Sequence, residues 1–135
     1  MSLSPVLVDT DVVSFLGKGH PIGVWYREAL DDRPLAISVV TVGEIEYGMQ
    51  SRDWGESRRD RMRGLLDQFT LIPADGAMAR MWAQVRTDCE RVGRPIGFAD
   101  AWIAATALQL NIPLVSHNAK DYEPIEALTV ITAKN

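Results

Sequence analysis

Cysteine is nearly missing from this chain: Cys89 is the single one in 135 residues. One thiol excludes an internal disulfide framework and a cysteine zinc cluster, and it fits a reducing, cytoplasmic setting. No apolar run approaches the roughly 20 residues of a membrane-spanning helix. The N-terminus lacks a basic stretch followed by a long apolar one, so no secretory signal is expected. Basic residues are outnumbered, 14 Lys and Arg against 18 Asp and Glu, for a net charge of −4. That argues against a generic nucleic-acid coat, which would be basic overall. It leaves room for an enzyme whose acidic centre is offset by bound cations. Also missing are a Gly-rich phosphate loop, a G-x-S-x-G elbow and a Ser/His/Asp set in a familiar context. There is no linker, repeat or low-complexity tract. What remains is an ordinary globular composition, 47% hydrophobic and 24% charged, expected to form one domain over residues 1–135.

Short apolar runs alternate with helical patterns. Pro5 to Val8, Leu35 to Val39, Thr70 to Pro73, Pro113 to Ser116 and Leu128 to Thr132 read as strands. Between them, helices are expected from Asp11, as N-cap, through Leu16, over Ile22 to Leu30, Thr41 to Met49 and Glu56 to Phe69. Two more follow, over Gly76 to Val92 and Phe98 to Leu110. The Gly76 helix carries the stripe Met78, Trp82, Val85, Cys89 and Val92, spaced by threes and fours, which places Cys89 in or near the core. The "ADAWIAATALQL" helix is apolar nearly all round and should be buried. This alternation predicts an α/β fold with a parallel sheet covered on both faces.

In such sheets functional residues gather at the carboxyl ends of strands. Four acids stand at such junctions: Asp9, Glu44, Asp100 and Asp121. Each has a local explanation. "TVGE", Thr41 to Glu44, matches a capping box. Asp100 suits a helix start, and Asp121 suits a turn. Together, four acids from distant segments would meet at one rim and repel one another. A hard divalent cation, Mg²⁺ or Mn²⁺, would remove that cost, and zinc is disfavoured for want of a His/Cys set. His20 and His117 read as surface residues. Arg58, Arg59, Arg61 and Arg63 in "SRRDRMRG" form either a solvated helix face or a phosphate or partner contact.

Four segments, "VLVDTDVVSFL", "ISVVTVGEIEYG", "PIGFADAWIAATAL" and "LVSHNAKDYEPI", resemble in order the signature segments of PIN-domain ribonucleases, above all the VapC-like toxins of bacterial toxin–antitoxin pairs. The resemblance covers nearly the whole chain. It implies a PIN-like three-layer α/β fold with a central parallel sheet flanked by helices. It implies a metal-dependent endoribonuclease using Mg²⁺ or Mn²⁺, with an RNA substrate, a VapB-like antitoxin partner and a homodimeric state. The family's first three acids correspond to Asp9, Glu44 and Asp100. The fourth falls on Asp121, with Asn118 as the alternative. Asp11 stands where asparagine is common, and Ser116 where threonine is. Arg86 and Arg94 are candidate phosphate contacts, or plain helix-surface ion pairs. Trp25, Tyr47, Met49 and Trp54 are interface candidates. Two other readings stay open. "VDTDVV" also fits the D-x-D-x-[TV] opening of haloacid-dehalogenase-type phosphatases, with Asp9 as the phosphorylated residue, although Lys120-Asp121 is a poor match for their later lysine and acidic pair. A non-catalytic PIN-like module that only binds RNA or a partner is the other.

Overall fold

The computed structural model describes residues 4–133. In chain order its elements are β1 (Val6–Val8), α1 (Thr10–Lys18), α2 (Pro21–Ala29), β2 (Leu35–Ser38), α3 (Val39–Ser51), α4 (Glu56–Leu66) and β3 (Thr70–Ile72). Then come α5 (Gly76–Arg91), α6 (Phe98–Leu110), β4 (Leu114–Val115), a 3₁₀ turn (Ala119–Tyr122) and β5 (Val130–Ile131). The five strands pair in parallel in the order β3-β2-β1-β4-β5. The expected α/β class and all five strand positions are therefore present. The last two strands are shorter than the sequence suggested, at two residues each.

The alternation of side chains along each strand splits the core in two. Val6 and Val8 of β1, Ile37 of β2 and Val115 of β4 pack with Val12, Tyr26, Ile45, Met49 and Met62 on one face. Leu7, Ala36 and Leu114 pack with Val85, Cys89, Ala101, Ile103 and Ala104 on the other. One face is thus covered by α1 to α4, the other by α5 and α6, which makes three layers. All three β1 residues are fully buried, and burying each such aliphatic side chain contributes roughly 1.5–3 kcal/mol. The alanines of α6 let it lie close to the sheet. Gly23 does the same for α2 against α1: a Cβ there would stand 2.8 Å from the Phe15 carbonyl oxygen.

Two capping assignments made from sequence are overturned. Asp9, not Asp11, is the N-cap of α1, accepting from the Thr10 amide at 2.8 Å. Asp11 lies inside the first turn, where its Oδ1 accepts from the Val12 amide at 2.7 Å and its Oδ2 is left to reach elsewhere. The capping box over Thr41 to Glu44 does not form. Its helix starts two residues earlier, at Val39, and is capped by Ser38, whose hydroxyl accepts from the Val40 amide. Thr41 is buried and Glu44 projects from the second turn. The T-x-x-E pattern was real, but the chain enters this helix directly from β2 without a linker.

Candidate acidic active site

The strand order reverses at the centre of the sheet. From β1 the chain moves outward to β2 and β3, then crosses back to β4 on the other side. The crevice beyond the carboxyl ends of β1 and β4 is where such sheets bind ligands. Asp9 follows β1 and Ser116 follows β4, and the Ser116 hydroxyl donates to Asp9 Oδ2 at 2.8 Å.

Asp9 is 5% exposed and heavily engaged. Besides Ser116 and the Thr10 amide, the Tyr122 hydroxyl donates to its Oδ2 at 2.8 Å. Burial still wins over these three hydrogen bonds and raises the Asp9 carboxyl above its ordinary range. The same Tyr122 oxygen lies 3.4 Å from Asp100 Oδ1. It has one proton to donate, and the shorter contact directs that hydrogen bond to Asp9. Asp100, in the first turn of α6, is pushed up to about 6 by partial burial, then by the charges of Asp9, Asp121 and Glu44. Glu44 accepts from the Thr10 hydroxyl at 2.7 Å, and that hydroxyl sits 3.0 Å from the Thr41 hydroxyl. Since Thr10 has one proton to give, Thr41 must donate in turn to Thr10. A line of hydroxyls thus links α1 to α3.

Three of the four sequence-derived acids, Asp9, Glu44 and Asp100, line one cleft of about 430 Å³ with Asn118, and the cleft extends past Tyr47, Trp54 and Met62. Asp100 also lines a second pocket of about 250 Å³ with Asp121 and Arg94. Asp121 acts on both Asp9 and Asp100 through its charge. Asn118 is turned toward Asp11 instead, and its amide nitrogen Nδ2 donates to Asp11 Oδ2 at 3.1 Å. The His117 backbone donates to the same oxygen at 3.0 Å. Asp11 therefore clasps the loop after β4, and burial followed by the Asp9 charge lifts it to about 7.

Among the described residues no group of three or more His, Cys, Asp or Glu side chains is arranged to hold a metal ion as the side chains stand. Hydroxyls of Ser116, Tyr122 and Thr10 take up the carboxylate oxygens instead. The donor chemistry nevertheless suits a hard cation: oxygen ligands only, with like charges close enough to perturb one another.

Several residues depart from their expected roles. His117 is half-buried rather than a surface group, with Nδ1 2.7 Å from the Tyr26 hydroxyl and its ring edge-on to Phe15. His20 is exposed, as expected, and also caps α2 through Nδ1, accepting from the Ile22 amide. Met49 is core at 2% exposed, while Tyr47 is 72% exposed. The arginine cluster is partly tied down. Arg63 forms a two-pronged pair with Glu46, Arg59 donates to the Trp54 carbonyl, and Arg58 stacks 3.6 Å from the Trp54 ring centroid. Arg94 braces the 3₁₀ turn through the Lys120 carbonyl and Glu123. Tyr122 was not singled out from sequence at all. Its signal was there: an aromatic with a polar tip next to Asp121, in a short segment after the fourth strand. Buried, it needs a partner for its hydroxyl.

The PIN domain family profile matches residues 6–126. The tRNA(fMet)-specific endonuclease VapC of Shigella flexneri is 29% identical over 122 residues, covering 90% of this chain and 92% of the relative. Ribonuclease VapC5 of Mycobacterium tuberculosis is 30% identical over 122 residues, covering 87% of each chain. Among solved structures, VapBC2 from Rickettsia felis bound to a promoter DNA fragment superposes with a TM-score of 0.86 at 23% identity, over 96% of this chain and 99% of that one. VapBC-5 from Mycobacterium tuberculosis gives a TM-score of 0.72 at 26% identity, over 96% of this chain and 98% of that one. With its α/β sheet, its acids at the β1/β4 crevice and these matches, the chain belongs to the PIN domain family, among its VapC-like members.

Proposed function

We propose that the protein is a metal-dependent endoribonuclease, the toxin of a toxin–antitoxin pair acting in the cytoplasm. The observation that carries this reading is the grouping of Asp9, Glu44 and Asp100, drawn from three separate segments, in one cleft, with Asp121 bearing on Asp9 and Asp100 through its charge. Names of the relatives, ribonucleases and an endonuclease, support it. Asp9, Glu44 and Asp100 would hold Mg²⁺ or Mn²⁺, with Asp121 as a further ligand. A divalent cation bound there supplies activation of a water and charge stabilisation of the phosphoryl oxygens. The chain's own residues prepare the place. Asp9 is fixed by Ser116, Tyr122 and the α1 amide. Thr10 orients Glu44. Asp11 and Arg94 hold the loop and turn that carry Asn118 and Asp121.

Purified protein, freed of partners, should cut single-stranded RNA with Mn²⁺ and stop when EDTA is added. RNA bound but never cut in Mn²⁺ would make the protein a binding module. A trapped phospho-Asp9 would make it a phosphatase.

Asp121 is expected to matter more to the metal than Asn118. A carboxylate offers a full charge to a hard cation, an amide only a dipole, and the Asn118 side chain is oriented by the bond from its Nδ2 to Asp11. Asp121→Asn should weaken Mn²⁺ affinity about tenfold, near the low end for groups that support a metal site. Asn118→Ala should act mainly on loop stability. A titration in which Asn118→Ala is the more damaging for Mn²⁺ would reverse the assignment.

The chain should also form a homodimer and bind a small VapB-like antitoxin. The solved neighbours include complexes described as VapBC. The cleft is lined by the acids together with Tyr47 and Trp54, which suits a peptide with apolar anchors and one basic side chain. Sedimentation as a monomer at micromolar concentration, with no affinity for the neighbouring gene product, would count against both statements.

A further inference from the structure

An aromatic cluster beside the acids takes no part in holding them. Phe98 opens α6 two residues before Asp100, and it is 57% exposed. Its ring lies nearly parallel to Trp102, 12° apart with centroids at 6.2 Å, and tilts against Trp82 at 5.2 Å. The Trp82 indole nitrogen donates to the Phe98 carbonyl at 3.2 Å, tying α5 to the start of α6. Arg86, one turn further along α5, holds its guanidinium 5.3 Å from the Trp82 centroid and has no ion pair among the described residues. Core packing accounts for the half-buried tryptophans. It does not account for a phenylalanine left mostly in water in the first turn of the helix that carries Asp100.

We propose that Phe98 is a stacking platform for a nucleobase next to the scissile phosphate, backed by Trp82 and Trp102, with Arg86 meeting a neighbouring phosphate. This rests on the nuclease reading and adds a subsite to it. The ligand class follows from the chemistry. An exposed ring nearly parallel to a second one offers a flat π-face on which a heterocycle can stack. The Arg86 guanidinium, over the Trp82 ring and without an ion pair among the described residues, supplies the charge that the attached phosphate requires. Phe98 shares a helix with Asp100, so a base stacked there has a fixed register relative to the acids. Single-stranded RNA can offer such a base, whereas paired bases are already stacked within a helix. Stacking on an aromatic side chain tolerates any sequence, since every base has a π-face.

The test compares a short single-stranded RNA with the same strand carrying abasic sugars, by fluorescence anisotropy in EDTA so that nothing is cut. The wild type should prefer the base-bearing strand by about tenfold. Phe98→Leu, which keeps apolar volume without a π-face, should lose that preference, and Phe98→Trp should keep it. Arg86→Gln should flatten the dependence of log affinity on log salt by about 0.7, the single-strand value for one phosphate contact. Preference that survives in Phe98→Leu overturns the platform. So does a Phe98→Leu protein whose only change is a lower oligomeric state in sedimentation, which would make the patch a self-interface. A wild type that cuts RNA but shows no base preference overturns the platform and leaves the nuclease reading intact. A wild type that neither binds nor cuts RNA with Mn²⁺ overturns both.

Discussion

Glu44→Gln is expected to give a folded protein whose RNA cleavage is reduced at least a hundredfold. Substituting groups that merely support a metal site already costs about 10–100-fold, and Glu44 is proposed as a direct ligand. The variant is informative because the structure leaves Glu44 no capping duty. Ser38 caps α3, and Glu44 is an exposed side chain held by one hydrogen bond, from the Thr10 hydroxyl. A glutamine carbonyl can accept that same bond, so the melting temperature should hardly change. Asp9→Asn should be equally inactive, yet it is the less clean experiment. Asp9 caps α1 and accepts from two buried hydroxyls, so an amide there would turn an NH₂ group toward donors. Cleavage at the wild-type rate by folded Glu44→Gln would remove Glu44 from the site.

The metal-free protein should lose stability as pH rises from about 4 to about 7, and Mn²⁺ should reverse the loss. Asp100 is pushed up to about 6 and Asp11 to about 7, against 3.8 for a free aspartate. A carboxyl raised on folding keeps a proton that the unfolded chain gives up. Between the unfolded and folded pKa the native state binds more protons, so stability falls with rising pH. One pKa unit corresponds to 1.36 kcal/mol. Asp100 is only partly buried, so screening by water reduces its share to about 1–2 kcal/mol at neutral pH. Asp100→Asn should therefore raise the metal-free melting temperature at pH 7.5 by roughly 3–8 °C, and by almost nothing at pH 4. A cation binds the ionised carboxylates, so the stabilisation by Mn²⁺ should grow from pH 5 to pH 8. At a hundredfold excess over Kd it reaches about 2.7 kcal/mol. Thermal melts across this range, with and without Mn²⁺, check both signs. A metal-free melting temperature that climbs steadily to pH 8 would show that the clustered acids do not strain the fold.

Much of the architecture was legible from residues alone because it is periodic or local. The apolar runs in "PVLV" and "PLVS" gave β1 and β4 to within a residue or two, and the α6 boundaries, Phe98 and Leu110, match the sequence expectation at both ends. Position after a strand pointed to Asp9, Glu44 and Asp121, since a parallel sheet collects its carboxyl ends at one edge whatever the strand order, whereas Asp100 was marked by the start of α6, which follows α5. Capping was less legible. Two acids two residues apart, Asp9 and Asp11, both suit a helix start, and the choice depends on where β1 ends, a matter of one residue.

The sequence by itself determined the three-layer α/β class and the burial of β1 and α6, and it singled out Asp9, Glu44 and Asp100, which line one cleft. Tertiary structure decided what each acid touches there. Tyr122 and Ser116 meet Asp9 across 113 and 107 positions of chain, and Asn118 meets Asp11 across 107. Periodicity reports only which face a residue takes on its own element. Contacts at such separations depend on β1 lying beside β4, and that order is set by how the helices between them pack, which no local pattern in the chain spells out.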